Sequence, residues 1–169
     1  MHVLVTGGAG YIGSVTAKHL LDLGHAVRVY DALSTGHFAA LDPRAEFFEG
    51  RVQDLEFLSA ALDGVDAVIH FAALSLVGES MREPLKYFRE NLSGAWSLLE
   101  GMHAAGVGRL VFSSTAAVYG EPGVETIDES TPTVPVNPYG QSKLMIERLI
   151  AEQARATGLG AICLRYFNA

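Results

Sequence analysis

The stretch Thr6-Gly-Gly-Ala-Gly-Tyr-Ile-Gly13 constrains this chain more than any other, because it joins an apolar strand to a helix through a joint that is mostly glycine. His2-Val-Leu-Val-Thr6 reads as a short strand, and Tyr11 to Leu23 carries helical spacing through Ile12, Val15, His19 or Leu20, and Leu23. The joint must turn tightly, let a ligand's phosphates approach the backbone, and pack the helix closely on the strand. Gly8, Gly10 and Gly13 form G-x-G-x-x-G in that strand-to-helix context, which is what lifts the pattern above chance. Free N–H groups at the start of the helix then face a pyrophosphate. Gly7, Gly10 and Gly13 are therefore candidate cofactor contacts.

A second strand, Ala26-Val-Arg-Val-Tyr30, ends at Asp31, 18 residues beyond Gly13. An acidic residue there bonds the adenosine ribose hydroxyls and repels a 2′-phosphate, so the expected cofactor is NAD rather than NADP. Arg28 is the one nearby cation that could reverse this preference, and strand alternation points it away from Asp31.

Strand patterns recur near 2–6, 26–30, 45–49, 66–71, 109–114 and 160–165, with helical patterns at 11–23, 54–62, 84–105 and 138–157. This alternation predicts an α/β fold, a doubly wound parallel sheet of six strands. Ala67-Val-Ile-His-Phe71 and Leu110-Val-Phe112 are apolar on both faces, as a sheet covered on both sides requires. Residues 119–137 hold Pro122, Pro132 and Pro135 without periodicity, and a long loop of this kind is usually functional. At 169 residues the chain reads as one domain, and its net charge of −7 makes nucleic acid an unsuitable partner. No basic, apolar leader precedes the first strand and no apolar run spans a bilayer, so the expected location is the cytoplasm, with no membrane partner. No metal site is expected, and the single cysteine, Cys163, reads as a buried small hydrophobe.

Tyr139-Gly-Gln-Ser-Lys143 places a phenol and an ammonium one above the other on the first turns of a helix that Pro138 introduces. A phenol titrates near about 10, so acting as a base at neutral pH requires about 4 kcal/mol of help from its surroundings. An adjacent lysine and a cationic nicotinamide ring are the expected sources. Phe112-Ser-Ser-Thr115 ends the fifth strand at the carboxyl edge, where a hydroxyl can bond the reacting oxygen. Tyr-x-x-x-Lys alone is common by chance; the glycine turn, Asp31 and the hydroxyl-rich strand end in the same chain give it weight. The helices at 84–105 and 138–157 also carry more apolar surface than one sheet contact uses, which asks for a partner.

Together with Asp31-Ala-Leu-Ser-Thr-Gly36, His70-Phe-Ala-Ala73, Val77-Gly-Glu-Ser80, Phe112 to Gly120 and Arg165-Tyr-Phe-Asn168, these motifs resemble the extended short-chain dehydrogenase/reductase superfamily and, within it, the UDP-glucose 4-epimerases. The resemblance covers the whole chain. It implies that Tyr139 takes the sugar 4-hydroxyl proton while hydride passes between C4 and NAD, that Lys143 holds the nicotinamide ribose and lowers the Tyr139 pKa, and that Thr115 bonds the 4-oxygen. Tyr11, Ile12, Asp31, Leu33, Ser34, Thr35, Gly36, Val52, Phe71, Ala72, Ala73, Asn91, Ser113, Tyr139, Lys143, Tyr166 and Phe167 fall where the family contacts NAD. Thr115, Tyr139 and Asn168 fall on the UDP-sugar. A homodimer through two helices per subunit is also implied.

Three positions depart from the family pattern. Arg51 stands in Gly50-Arg-Val52 where an Asp commonly faces the adenine amine, Ala32 replaces a common Asn, and Ser75 or a neighbour replaces a lysine that some members carry. Family members run to about twice this length, so the chain is expected to be the NAD-binding portion, with the C-terminal substrate domain absent. Two other readings stand beside the epimerase: a nucleotide-sugar dehydratase or decarboxylase, which would place an acid after Thr115 where this chain has Ala116-Ala117, and a non-catalytic NAD-binding module.

Overall fold

The computed structural model describes residues 1–167. Its strands are β1 (His2–Thr6), β2 (Ala26–Asp31), β3 (Glu46–Glu49), β4 (Ala67–His70), β5 (Arg109–Thr115) and β6 (Gly160–Tyr166). They form one sheet in the order β3-β2-β1-β4-β5-β6, and every pairing is parallel. The order reverses at β1, so a crevice opens where the chain leaves β1 one way and β4 the other, the usual ligand position in such sheets. The helices are α1 (Tyr11–Asp22), α2 (Leu55–Leu62), α3 (Val77–Arg82), α4 (Pro84–Tyr87), α5 (Ser93–Ala104) and α6 (Pro138–Thr157).

Cross-strand register decides which residues face which layer. Leu4, Val68 and Leu110 align on one face and pack with Tyr30, Phe112, Leu58, Leu62, Leu98, Met102, Ile146 and Ile150 beneath α2, α5 and α6. Val3, Val5, Val27 and Val29 point to the opposite face and pack against Ala17, Leu20 and Leu21 of α1. That second face continues by register through Ile69, Val111 and Ile162, and at β6 it is bare: Ile162 is 60% and Leu164 38% exposed. Cys163 is half-buried, and burial pushes its thiol up to about 11.

The helix expected over 84–105 is broken. Pro84 starts it, but Phe88–Leu92 widens into a π segment before α5 resumes the α-helical spacing. A π segment takes in one extra residue per turn and often marks a functional position. The short α3 and the single turns Phe38–Ala40 and Ala116–Val118 carry too few residues for periodicity to reveal them. Residues 120–137 contain neither helix nor strand.

Candidate functional site

The glycine turn closes as its sequence requires. Gly7 has φ +72, and a Cβ on it would lie 2.5 Å from the Ala72 nitrogen at the end of β4. A Cβ on Gly13 would lie 2.2 Å from the Gly7 carbonyl oxygen, so α1 sits directly on the turn. No side chain caps α1 and no acid stands in its first turn, which leaves its N-terminal N–H groups and dipole available to an anion. Tyr11 there is 79% exposed.

Asp31 is buried at the end of β2 and anchored by two backbone donors: Ala9 N–H to Oδ2 at 2.9 Å and Leu33 N–H to Oδ1 at 2.8 Å. A carboxylate accepts about four bonds, so capacity remains for two ribose hydroxyls. Leu33 takes φ +52, a backbone cost that such loops carry where function fixes their path. His37 N–H then donates to the Ala9 carbonyl at 3.0 Å, folding residues 33–37 over the glycine turn. Arg28 is spent elsewhere: it pairs with Glu46 at 2.8 Å and donates to the carbonyls of Ala61 and Asp63 at the end of α2. An uncapped helix N-terminus, a carboxylate with spare acceptors and a loop closed over the turn together fit a dinucleotide.

At the other end of the crevice, Asn137 caps α6 by accepting from Gly140 N–H at 2.8 Å, with Pro138 in the first turn. This puts Tyr139 and Lys143 beside the end of β5. Lys143 is buried; its Nζ donates to the Ser113 carbonyl at 2.8 Å and lies 4.8 Å from the Phe112 ring centroid and 6.0 Å from that of Tyr139. Burial lowers its pKa to about 7. Burial raises the Tyr139 phenol above its ordinary value, while the Thr115 hydroxyl beside it pulls the other way. In the protein without a dinucleotide, burial sets the direction for the Tyr139 phenol. Thr115 Oγ1 accepts from Ala117 N–H at 3.1 Å, so its own proton remains free to donate.

Asn91, expected as a cofactor contact, is buried in the π segment with its amide engaged. It accepts from Leu74 N–H at 2.8 Å and donates to the Leu74 carbonyl and to Ser142 Oγ, both at 3.1 Å. It ties the loop after β4 to the helix that carries Tyr139 and Lys143. Gly36, Val52, Phe71, Ala72 and Ala73 line the same carboxyl edge as Asp31 by their places after β2, β3 and β4, with Ser34 and Thr35 in the loop over the turn. Tyr166 ends β6, and Phe167 stacks on Tyr119 at 6.4 Å. Asn168 lies outside the described residues.

Two groups escaped the sequence reading as site elements. His70 is buried, hydrogen-bonded to Thr6 Oγ1 at 2.6 Å and stacked on Phe112; burial, and then the Lys143 charge, lower its pKa to about 3, so it stays neutral. Glu147, one turn beyond Lys143, pairs with Arg165 at 2.7 Å and accepts from Ser114, while Arg165 donates to Tyr119 Oη at 2.9 Å. A charged residue on the sheet-facing side of α6 was the available signal.

The model of the NAD dependent epimerase/dehydratase family matches residues 3–169. The UDP-glucose 4-epimerase of Lacticaseibacillus casei is 51% identical over 170 residues, 99% of this chain and 51% of that protein. That of Streptomyces lividans is 52% identical over 168 residues, 98% and 51% of the respective chains. The crystal structure of Brucella ovis UDP-glucose 4-epimerase in complex with NAD superposes with a TM-score of 0.96 at 46% identity, covering 99% of this chain and 52% of that one. The chain spans about half the length of the curated relatives it matches.

Proposed function

The chain belongs to the NAD dependent epimerase/dehydratase family, and from that premise we propose that residues 1–169 are the NAD-binding domain of a UDP-hexose 4-epimerase interconverting UDP-glucose and UDP-galactose, with its substrate domain in a C-terminal half. The observation that carries the reading is the meeting of Thr115, Tyr139 and Lys143 at the carboxyl edge of the sheet that also holds the glycine turn and Asp31.

Bound NAD supplies the reversible hydride acceptor needed to oxidise sugar C4 and reduce it again on the other face. Tyr139, as phenolate, takes the 4-hydroxyl proton during oxidation and returns it during reduction. Thr115, whose oxygen already accepts from the backbone, donates its hydroxyl proton to the 4-oxygen and holds it in line. Lys143 gains the nicotinamide ribose hydroxyls as partners beyond the Ser113 carbonyl, which favours its charged form and so the Tyr139 phenolate. Gly7, Gly10, Gly13, Tyr11 and Ile12 receive the pyrophosphate, and Asp31 the adenosine ribose. A dehydratase would need an acid after Thr115, and Ala116 and Ala117 supply none.

The same reading makes the whole protein a cytoplasmic enzyme of galactose metabolism and a homodimer through α4, α5 and α6. The test has two arms. The 169-residue chain should bind NAD and bind NADP much more weakly by calorimetry; equal affinity, or a preference for NADP, overturns the role of Asp31. In the full-length protein, Tyr139→Phe should lower epimerisation of UDP-galactose by at least about a hundredfold with NAD still bound, and near wild-type turnover removes Tyr139 as the base.

A further inference from the structure

The dinucleotide reading leaves the adenine amine without the side-chain acceptor that the resemblance places after Gly50, because an arginine stands there and its side chain offers donors only. With the ribose on Asp31 at the end of β2, the base extends toward β3, the next strand outward, and meets the residues that follow it. Those residues are held firmly. Gly50 N–H donates to the Asp31 carbonyl at 3.0 Å, Tyr30 Oη donates to the Arg51 carbonyl at 3.0 Å, and Val52 is buried.

The Arg51 side chain does not extend into solvent alone. Its Nη2 bonds Glu90 Oε2, in the π segment across the carboxyl edge, and Gln53 Nε2 donates to the Glu90 carbonyl at 3.1 Å and to the same Oε2 at 3.3 Å. Three polar contacts thus converge on one glutamate from the loop after β3. Its other oxygen, Oε1, accepts no hydrogen bond among the described residues and has only the Arg89 guanidinium near it, at 3.5 Å. The side chain is 23% exposed, so it is partly dehydrated and still accessible.

We propose that Glu90, drawn across the sheet edge by Arg51 and Gln53, is the acceptor for the exocyclic 6-amino group of the cofactor's purine. The inference rests on the dinucleotide reading above. Arg51 then acts as a positioning residue: it brings in from a distant helix the carboxylate that its own position lacks. A purine bearing a 6-oxo group would set an acceptor against that carboxylate and be rejected.

The test titrates the 169-residue chain with NAD and with nicotinamide hypoxanthine dinucleotide, in which the 6-amino group is replaced by oxygen. Wild type should bind NAD at least about tenfold more tightly, the difference expected for a hydrogen bond to a charged group. Glu90→Gln offers an amide donor to the 6-oxo group and should bring the two affinities close together. Arg51→Gln, which frees Glu90, should also narrow the gap. In both variants the preference for NAD over NADP, which belongs to Asp31, should survive and report an intact ribose site. Equal binding of the two dinucleotides by wild type, or full discrimination retained by Glu90→Gln, overturns the assignment of Glu90. Failure of wild type to bind either one overturns the NAD site itself.

Discussion

Lys143 is an ammonium held where an apolar side chain would be more stable. Its one hydrogen-bond partner among the described residues is the Ser113 carbonyl, and burial brings its pKa from 10.5 to about 7. Unfolded, the same lysine keeps its proton up to the ordinary value. Between those two pH values the unfolded chain binds more protons than the folded one, so stability rises with pH across that window, and below it the cost of burying the charge is complete. Lys143→Met should therefore melt higher than wild type at pH 7, by on the order of 5 °C, with the advantage shrinking as pH approaches 10. It should lose NAD affinity at the same time. Thermal melts at several pH values, paired with NAD titration, check both; a variant less stable than wild type at pH 7 would show that the Ser113 bond outweighs the buried charge.

Asn91 shows what the π segment does for the elements around it. The extra residue in that turn points an amide inward, where it satisfies both backbone groups of Leu74 and reaches Ser142 on α6. Asn91→Ala should cost about 3 kcal/mol in urea unfolding, because it strands part-buried backbone groups as well as deleting bonds. A loss below about 1 kcal/mol would mean water replaces the amide. The edges of this joint also mark what could be read from sequence. The glycine turn, Asp31 and the Tyr139–Lys143 pair were legible because each works through local spacing, and α6 spans the predicted 138–157. The π segment was not, because its backbone obeys a tertiary demand from Leu74 and Ser142 that no periodicity in 84–105 encodes. Nor were the Arg51–Glu90 and Glu147–Arg165 pairs, whose partners are brought together only by sheet order. Lys143 and a cationic nicotinamide ring were the legible sources of depression for the Tyr139 phenol, whereas the burial that raises it depends on the whole packing.

For the whole molecule, the apolar groups left outside the core stand out. Leu85 is 81%, Trp96 61%, Met81 60% and Met145 41% exposed, all on or beside the helices proposed to pair in a dimer. Trp96 is the only tryptophan, so its emission reports on that surface directly. Light scattering should give a dimer at tens of micromolar, with emission shifting red on dilution, and Trp96→Glu should be monomeric; a wild-type monomer whose emission ignores dilution removes the helix pairing. Sheet order has a different consequence. β2 pairs with β1, β3 with β2, β4 with β1, β5 with β4 and β6 with β5, so every strand docks on an edge built by residues that precede it. A chain emerging from the ribosome thus always has an edge ready for the strand being made, while the second edge of β1 waits through residues 7–66 for β4. The sheet grows outward from β1, first to β3 on one side and then to β6 on the other, so the open edges at any stage are those of the two outermost strands formed so far.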